Sequence, residues 1–115
     1  MANTFKVITK AGVTSADVIY TVAGSTTTVI LGLILGNTTS SSINATVTLG
    51  TDTSNRAGAN DEANQAVELI TTTPIPGNSS LELLSGNKVV METTDTLSVT
   101  GTGATDVALS IMEIT

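Results

Sequence analysis

The sequence predicts an all-β domain, and three observations support that prediction. Hydroxyl residues are abundant, with 23 Thr and 11 Ser among 115 residues, and the β-branched Thr favours strands over helices. Apolar and polar residues alternate with a period of two in several segments, as they do in a strand with one buried face. Turn-forming Gly, Asn, Asp and Ser residues recur at the short intervals that are typical of a sandwich. We therefore predict one antiparallel β-sandwich domain over residues 1–115, jelly-roll or immunoglobulin-like, with about eight strands.

The first half of the chain is predicted to hold four strands, with turns at residues 11–12 and 23–25. The strands cover residues 4–9, 16–22, 27–36 and 43–49. The third is apolar on both faces, which is typical of a central strand that is covered on both sides or lies at an oligomer contact. In the fourth, every second residue is expected to face the core, namely Ile43, Ala45, Val47 and Leu49.

Residues 50–64 are predicted to form the one long polar loop of the domain, because they show no apolar period. A loop of this length in a small domain is usually mobile or functional.

The second half is predicted to continue with short strands, separated by turns at residues 85–87, 93–95 and 101–103. Pro74 and Pro76 cannot donate hydrogen bonds to a strand partner, so their segment belongs at a sheet edge or a crossing. In the last strand we expect Val107, Leu109 and Ile111 to be buried. This C-terminal strand should pair inside a sheet, and its removal should destroy the fold. The predicted strand segments are 65–71, 80–84, 88–92, 96–100 and 105–114, and residues 73–77 are the edge or crossing segment.

The composition argues against several kinds of site and partner. The chain has no His and no Cys, which removes the usual nucleophile pairs and the usual ligands of zinc, haem and iron–sulfur clusters. Only four Lys and Arg residues, scattered along a chain of net charge −6, provide no basic patch for nucleic acid or an anionic membrane. The N-terminus lacks the pattern of a signal peptide, so synthesis in a cytoplasm is expected.

Carboxylates are the strongest remaining candidates for chemistry. Glu68, Glu82 and Glu92 lie in predicted strands, where a converging pair would suit glycoside hydrolysis. Sugar subsites usually contain aromatic platforms, and the chain has only Phe5 and Tyr20, so we interpret these carboxylates as solvated strand residues. In the long loop, Asp52, Asp61 and Glu62 are possible calcium ligands, but the spacing of a calcium-binding loop is absent.

Other local patterns have ordinary structural explanations. Gly101 and Gly103 form a Gly-x-Gly pattern without a following helix, so we predict a hairpin turn there and no phosphate site. Lys88 opens a strand and is expected to be solvated, which disfavours a Ser/Lys nucleophile pair. Three matches to the N-glycosylation pattern, at Asn37, Asn44 and Asn78, are expected by chance in a chain so rich in Ser, Thr and Asn. No catalytic, cofactor-binding or metal-binding residue is assigned, and we expect the protein not to be an enzyme.

Four segments, 19–33, 73–91, 95–99 and 106–114, carry a resemblance to a known group. They resemble small virion proteins of tailed bacteriophages, notably phages of marine bacteria and cyanobacteria, of the kind that includes capsid decoration (cement) proteins. The resemblance implies a non-enzymatic β-sandwich on the capsid surface, made in the host cytoplasm. It also implies the major capsid protein as partner, self-association on the capsid surface, and no cofactor. The alternative is a tail or fibre component that acts as an attachment or glycan-binding module, for which the 50–64 loop is the motivation.

Overall fold

The computed structural model describes residues 2–51, 65–84 and 86–115. They form nine β-strands in two antiparallel sheets, which confirms the predicted all-β sandwich. In this part of the chain, no helix is long and apolar enough to cross a membrane. The strands are β1 (Asn3–Val13), β2 (Asp17–Thr21), β3 (Thr27–Asn37), β4 (Ile43–Gly50), β5 (Val67–Ile75), β6 (Ser80–Leu83), β7 (Val89–Met91), β8 (Thr96–Gly101) and β9 (Thr105–Ile114).

Sheet A contains β1, β9 and β3 in that order, and both β6 and β7 pair with the far side of β3. Sheet B has the order β2, β8, β4, β5. Strands β6 and β7 run in the same direction along β3, so they form one interrupted strand. Counted as one, they leave eight strands in two sheets of four, and this strand order is that of a jelly roll.

The core lies between the sheets, where most strands bury one face, whereas the edge strand β1 is exposed over most of its length and buries only Val13. In β4, Ile43, Ala45 and Val47 are buried as predicted, and Leu49 packs against the same cluster while staying half-buried. On the opposite sheet, the inward residues of β9 are fully or almost fully buried, as predicted: Val107, Leu109 and Ile111. The period-two pattern of the sequence therefore locates the core correctly in both sheets.

Strand β9 lies inside sheet A, as its C-terminal sequence predicts. It pairs with β1 from Asn3 to Val13 and with β3 from Thr27 to Asn37. Strand β3 is also central, because β9 flanks it on one side and β6 and β7 on the other. The inner face of β3 is buried, whereas Ile34 on its outer face is exposed, so no described part of the chain covers both faces of this strand.

Two predicted turns, at residues 11–12 and 101–103, differ from the structure. Residues 11–12 form a bulge within β1, where Gly12 adopts a positive φ of 68° and pairing with β9 resumes at Val13. The predicted turn at residues 85–87 lies between two segments that run in the same direction, β6 and β7, and the Asn87 backbone N–H donates to the Leu84 carbonyl at 3.3 Å; Ser85 itself lies outside the described residues. Residues 101–103 connect β8 in sheet B to β9 in sheet A, so the predicted hairpin there is wrong. A local turn signal cannot distinguish a hairpin from a crossing between sheets, because both need the same turn residues.

The proline segment has the predicted location. Pro74 lies in β5, which is the edge strand of sheet B, and the chain crosses to sheet A after Pro76. The edge position suits a residue that has no backbone N–H to donate. Of the predicted 50–64 loop, residues 52–64 lie outside the described part of the chain.

Replacing Leu109 tests the dependence of the fold on β9. We expect Leu109→Ala to lower the free energy of unfolding by about 2–5 kcal/mol, since the side chain is fully buried and its removal leaves a cavity. Urea unfolding followed by circular dichroism measures this change. The neighbouring Ser110→Ala, at an exposed position, is the control and should change stability by less than about 0.5 kcal/mol. An unchanged stability of Leu109→Ala would contradict the dependence of the fold on β9, and equal losses in both variants would contradict the inward position of Leu109.

Candidate interaction surface

The carboxylates that the sequence singles out do not converge. Glu68 lies at the exposed edge of sheet B and accepts a hydrogen bond from the Thr71 hydroxyl. Glu82 lies in sheet A opposite Ile34, and Glu92 follows β7 at the other end of β3. Six residues of β3 separate these two positions, which corresponds to about 20 Å. Among the described residues, no three His, Cys, Asp or Glu side chains form a group that could hold a metal ion.

The remaining candidates are also dispersed. Lys88 is exposed, as predicted, and the Gly101–Gly103 segment is the crossing described above. Asn37 is buried, and its side-chain amide donates to the carbonyls of Ser41, Ile75 and Pro76, so it is inaccessible in the fold. The suggested calcium ligands Asp52, Asp61 and Glu62 lie outside the described residues, as does most of the loop that motivates a glycan-binding module.

One carboxylate is buried, and it has a structural role. Asp95 lies where the chain crosses from β7 to β8, and its Oδ2 accepts from the backbone N–H of Glu92 at 3.0 Å. Its own backbone N–H donates to the Glu92 carbonyl, and its carbonyl accepts from the N–H of Val22. Asp95 therefore stabilises the crossing between the sheets, in the manner of short polar side chains that bond to nearby backbone.

The outer face of sheet A is the most distinctive surface of the described chain. Directly paired residues on antiparallel strands lie on the same face, so the registers identify which side chains share the solvent side. One row crosses four strands and contains Phe5, Met112, Val29 and Val90. We call the solvent-facing side of β1, β9, β3, β6 and β7 the outer face.

Exposed apolar side chains concentrate on the outer face. Phe5 is 70% exposed, Val7 64%, Val90 62% and Ile34 45%. Among the described residues, only two other large apolar side chains, Val18 and Val67, are comparably exposed, and both belong to sheet B. Single exposed apolar residues are normal, but four on one sheet face mark a contact surface.

The two ends of the outer face differ in relief. The end that contains Phe5 and Val90 carries bulky side chains. Towards the other end the outward positions of the central strands are small: Gly32, Gly36, Ala108 and Ser110. Two shallow hollows lie there on either side of Ile34. We call them the Gly32 hollow, which Glu82 and Ser110 also line, and the Gly36 hollow, which Thr9 and Ala108 also line.

Charged side chains on the outer face lie beside the two hollows, since Glu82 lines the Gly32 hollow and Lys10 and Asp106 line the Gly36 hollow. Asp106 is at the end of β9, where its Oδ1 accepts from the backbone N–H of Gly12 at 2.9 Å. Glu82 is on β6, on the far side of β3 from β9. The rows between Phe5 and Ile34 hold apolar side chains, glycine and hydroxyls on β1, β9 and β3. An apolar centre with a polar rim is the arrangement of protein–protein interfaces.

A polar cluster joins the two sheets at one end of the sandwich. The Tyr20 hydroxyl, on β2 of sheet B, donates to Glu113 Oε2 at 2.6 Å. Because its one proton is used there, the hydroxyl accepts from Thr28 Oγ1, 2.7 Å away. Lys6 Nζ lies 2.7 Å from the other oxygen of Glu113. Glu113, Thr28 and Lys6 all belong to sheet A, so this cluster fastens sheet B to three strands of sheet A.

These contacts shift two pKa values in opposite directions. Burial raises the pKa of Tyr20, and its hydrogen bond to the Glu113 carboxylate adds to that effect. The pKa of Glu113 is held below its ordinary value by the hydrogen bond from Lys6 first and by that from Tyr20 second. Both contacts favour the ionised carboxylate.

The outer side of sheet B is different in character. It presents the hydroxyls that the alternation predicts, with Thr46 opposite Thr100 and Thr48 opposite Ser98 on β4 and β8. All four residues are half-buried by their neighbours. The hydroxyls therefore form the solvated surface of sheet B, whereas the apolar contact surface belongs to sheet A alone.

Sequence reasoning identified part of the outer face and missed the rest. The two-faced pattern of 27–36 indicated an outward apolar surface on β3. Phe5, Val7 and Val90 were not connected with it, although the alternation of Phe5 and Val7 along β1 was the available signal. The Tyr20 cluster was also missed, because Lys6 and Glu113 are at opposite ends of the chain.

Removal of the Tyr20 hydroxyl tests the polar cluster. We expect Tyr20→Phe to lower the free energy of unfolding by about 1–3 kcal/mol, since the buried Thr28 hydroxyl and the Glu113 carboxylate lose a partner. Chemical denaturation at neutral pH provides the measurement. Thr21→Val, at the exposed neighbouring position, serves as the control and should be near neutral. An unchanged stability of Tyr20→Phe would show that the cluster does not fasten the sheets.

The lowered pKa of Glu113 predicts acid sensitivity. A carboxyl group whose pKa is lower in the folded state stabilises the fold above its unfolded pKa, near 4.5, and loses that contribution as the pH falls through the folded value. We therefore expect Glu113→Gln to show a smaller loss of stability than the wild type between about pH 5 and pH 3. Urea unfolding across this range measures it, with the exposed Glu82→Gln as the control. Parallel curves for wild type and Glu113→Gln would refute the assignment.

Comparison with known proteins assigns no family to the chain. No protein-family model matches it, and no curated protein matches it in sequence. A solved structure of Bacillus endospore appendages, described as a novel family of disulfide-linked pili, aligns with 99% of this chain and 87% of that chain. The TM-score is 0.48 and the sequence identity 15%, and a likeness this low assigns no function.

Proposed function

We propose that this protein is a non-enzymatic structural protein that works by contact with other proteins in many copies. The observation that carries the proposal is the outer face of sheet A, where four large apolar side chains are exposed on one side of the sheet. Burying such a surface against protein removes apolar area from water, which is the main driving force of association.

The more specific proposal is a capsid decoration protein of a tailed phage, bound to the lattice of the major capsid protein. It rests on the sequence resemblance of residues 19–33, 73–91, 95–99 and 106–114. The jelly roll is found in viral capsid and lectin domains, but a fold alone does not assign a function. Location on the capsid surface and synthesis in the host cytoplasm are parts of the same proposal.

The packing of the domain suits a protein that must persist on a particle surface. Its core is continuous between the sheets, with Ile30, Leu33, Leu97 and Leu109 almost fully buried. Most strand pairs join segments that are distant in sequence, such as β1 with β9. Such non-local pairing makes unfolding of one strand costly to the whole sheet.

The distribution of reactive groups supports a non-enzymatic role. The chain has carboxylates, lysines and hydroxyls but no His or Cys. Glu68 belongs to sheet B, and Glu82 and Glu92 lie at opposite ends of β3 in sheet A. Two-carboxylate catalysis requires separations of roughly 5–10 Å, much less than the spacing along β3.

Binding to reconstituted capsids tests the decoration function. The purified chain is mixed with capsids assembled from the major capsid protein that the same genome encodes, sedimented, and imaged by electron cryomicroscopy. We expect co-sedimentation that saturates, symmetric density on the outer lattice, and capsids that resist heat better with the protein than without it.

Two results would contradict this function. One is the absence of co-sedimentation at protein concentrations far above those of the capsid sites. The other is density confined to the tail in native particles, which would support the alternative tail component. The negative control for nonspecific sedimentation is the Leu109→Ala variant, which is unfolded in urea and is not refolded before it is mixed with the capsids.

A further inference from the structure

We propose that the outer face of sheet A binds the same face of a second copy of this chain, around a two-fold axis that runs across the strands beside Ser110. This inference rests on the proposed contact function and deepens it by naming the occupant of the surface. Face-to-face contacts around a two-fold axis are the commonest form of homodimer, and they require one patch to be complementary to itself.

The relief of the outer face is uneven. Phe5 and Val90 protrude at one end, and the Gly32 and Gly36 hollows lie towards the other. A face that carries both protrusions and hollows can fit a copy of itself, provided that the symmetry brings one over the other.

The protrusions and the hollows have defined positions along the strands. On β1, Val7 is midway between Phe5 and Thr9, and it pairs with Ser110 on β9. A two-fold rotation around this row reverses the strand direction of the second copy. Phe5 of one copy then lies over Thr9 of the other, which lines the Gly36 hollow.

The same rotation matches the other side of the face. On β3, Val29 pairs with Met112, Gly32 with Ser110 and Ile34 with Ala108, so Gly32 lies in the row of the axis. Val90, which is paired with Val29, then lies over the position of Glu82 and Ile34 at the Gly32 hollow. Under one rotation, Phe5 and Val90 therefore each lie over a residue that lines a hollow, Thr9 and the charged Glu82 respectively.

The charges are compatible with this arrangement. Asp106 is four residues from Ser110 along β9, so the rotation brings it over Ile114 and keeps the two Asp106 carboxylates at opposite ends. The row of the axis contains Val7, Ser110 and Gly32, none of which is charged. Although the chain has a net charge of −6, no like-charged pair is brought together on β1, β9 or β3.

The size of the face is in the range of a stable dimer. Four strand positions and about nine residues correspond to roughly 20 Å by 30 Å, or roughly 600 Å² in projection. A side-chain-covered surface has more accessible area than its projection, and a standard interface buries about 800 Å² per partner. The face therefore provides about the area that a specific dimer needs.

Thiol cross-linking tests the position of the axis. The chain has no Cys, so one introduced thiol reports on one position. We expect Ser110→Cys, at an exposed position beside the axis, to give a covalent dimer with a short bifunctional thiol reagent. The matched control is Val18→Cys, exposed on sheet B, which should remain monomeric on a denaturing gel.

Filling a hollow tests the fit of the two copies. A Cβ added at Gly32 would meet no atom within 4 Å inside the chain, so Gly32→Val should leave the fold intact. It should weaken the dimer by about tenfold or more in Kd, measured by analytical ultracentrifugation. Gly24→Val is the matched control, because a Cβ there also meets no atom within 4 Å and Gly24 lies in the connection between β2 and β3, outside the strands of the outer face. Phe5→Asp should weaken the dimer as well.

Several results would overturn the second-copy proposal. They are a monomeric wild-type chain at all concentrations tested, equal cross-linking of Ser110→Cys and Val18→Cys, or a dimer that Gly32→Val and Phe5→Asp leave unchanged. Capsid binding separates this proposal from the decoration function. A monomer that binds capsids would overturn the dimer alone, and a dimer that does not bind them would overturn the decoration function alone.

Discussion

The pairing of β9 with both β1 and β3 is the constraint on which the rest of the structure depends. This pairing places the last strand of the chain between the first and the third. Met112 of β9 is therefore paired with Phe5 of β1 on one side and with Val29 of β3 on the other. The inner residues of β9 and β3, together with Val13 of β1 and Met91 of β7, form the sheet A side of the core. Because the side-chain period of a strand is two, the same register also determines which residues share the outer face.

The two faces of sheet A have the same periodicity and different chemistry. The inner face meets sheet B and is closed at one end by the Tyr20 cluster, which joins β2 to β1, β3 and β9. The outer face has no described element over it, yet it carries Phe5, Val7, Val90 and Ile34 in exposed positions. Exposing these apolar side chains to water is costly, and the rest of the sandwich is well packed and rich in hydroxyls. The outer face is therefore best explained as a surface that binds a protein partner.

Alternation along single strands was sufficient to predict much of the core. Ile43, Ala45 and Val47 on β4 and Leu109 on β9 are buried as the pattern indicates, and the edge position of Pro74 follows from its missing N–H. Turns were less predictable. Residues 101–103 are ordinary turn residues, yet this segment crosses between the sheets, because its geometry depends on strand partners that are distant in sequence.

The sequence by itself determined the fold class, because Thr content, period-two alternation and frequent turn residues are local properties that favour strands wherever they occur. It also determined that β3 would have an apolar outer side. Only the tertiary structure decided that Phe5, Met112 and Val90 join Val29 in one row, and that Lys6 meets Glu113. The physical reason is that the register between strands remote in sequence is set by packing of the whole sandwich, which no single segment encodes.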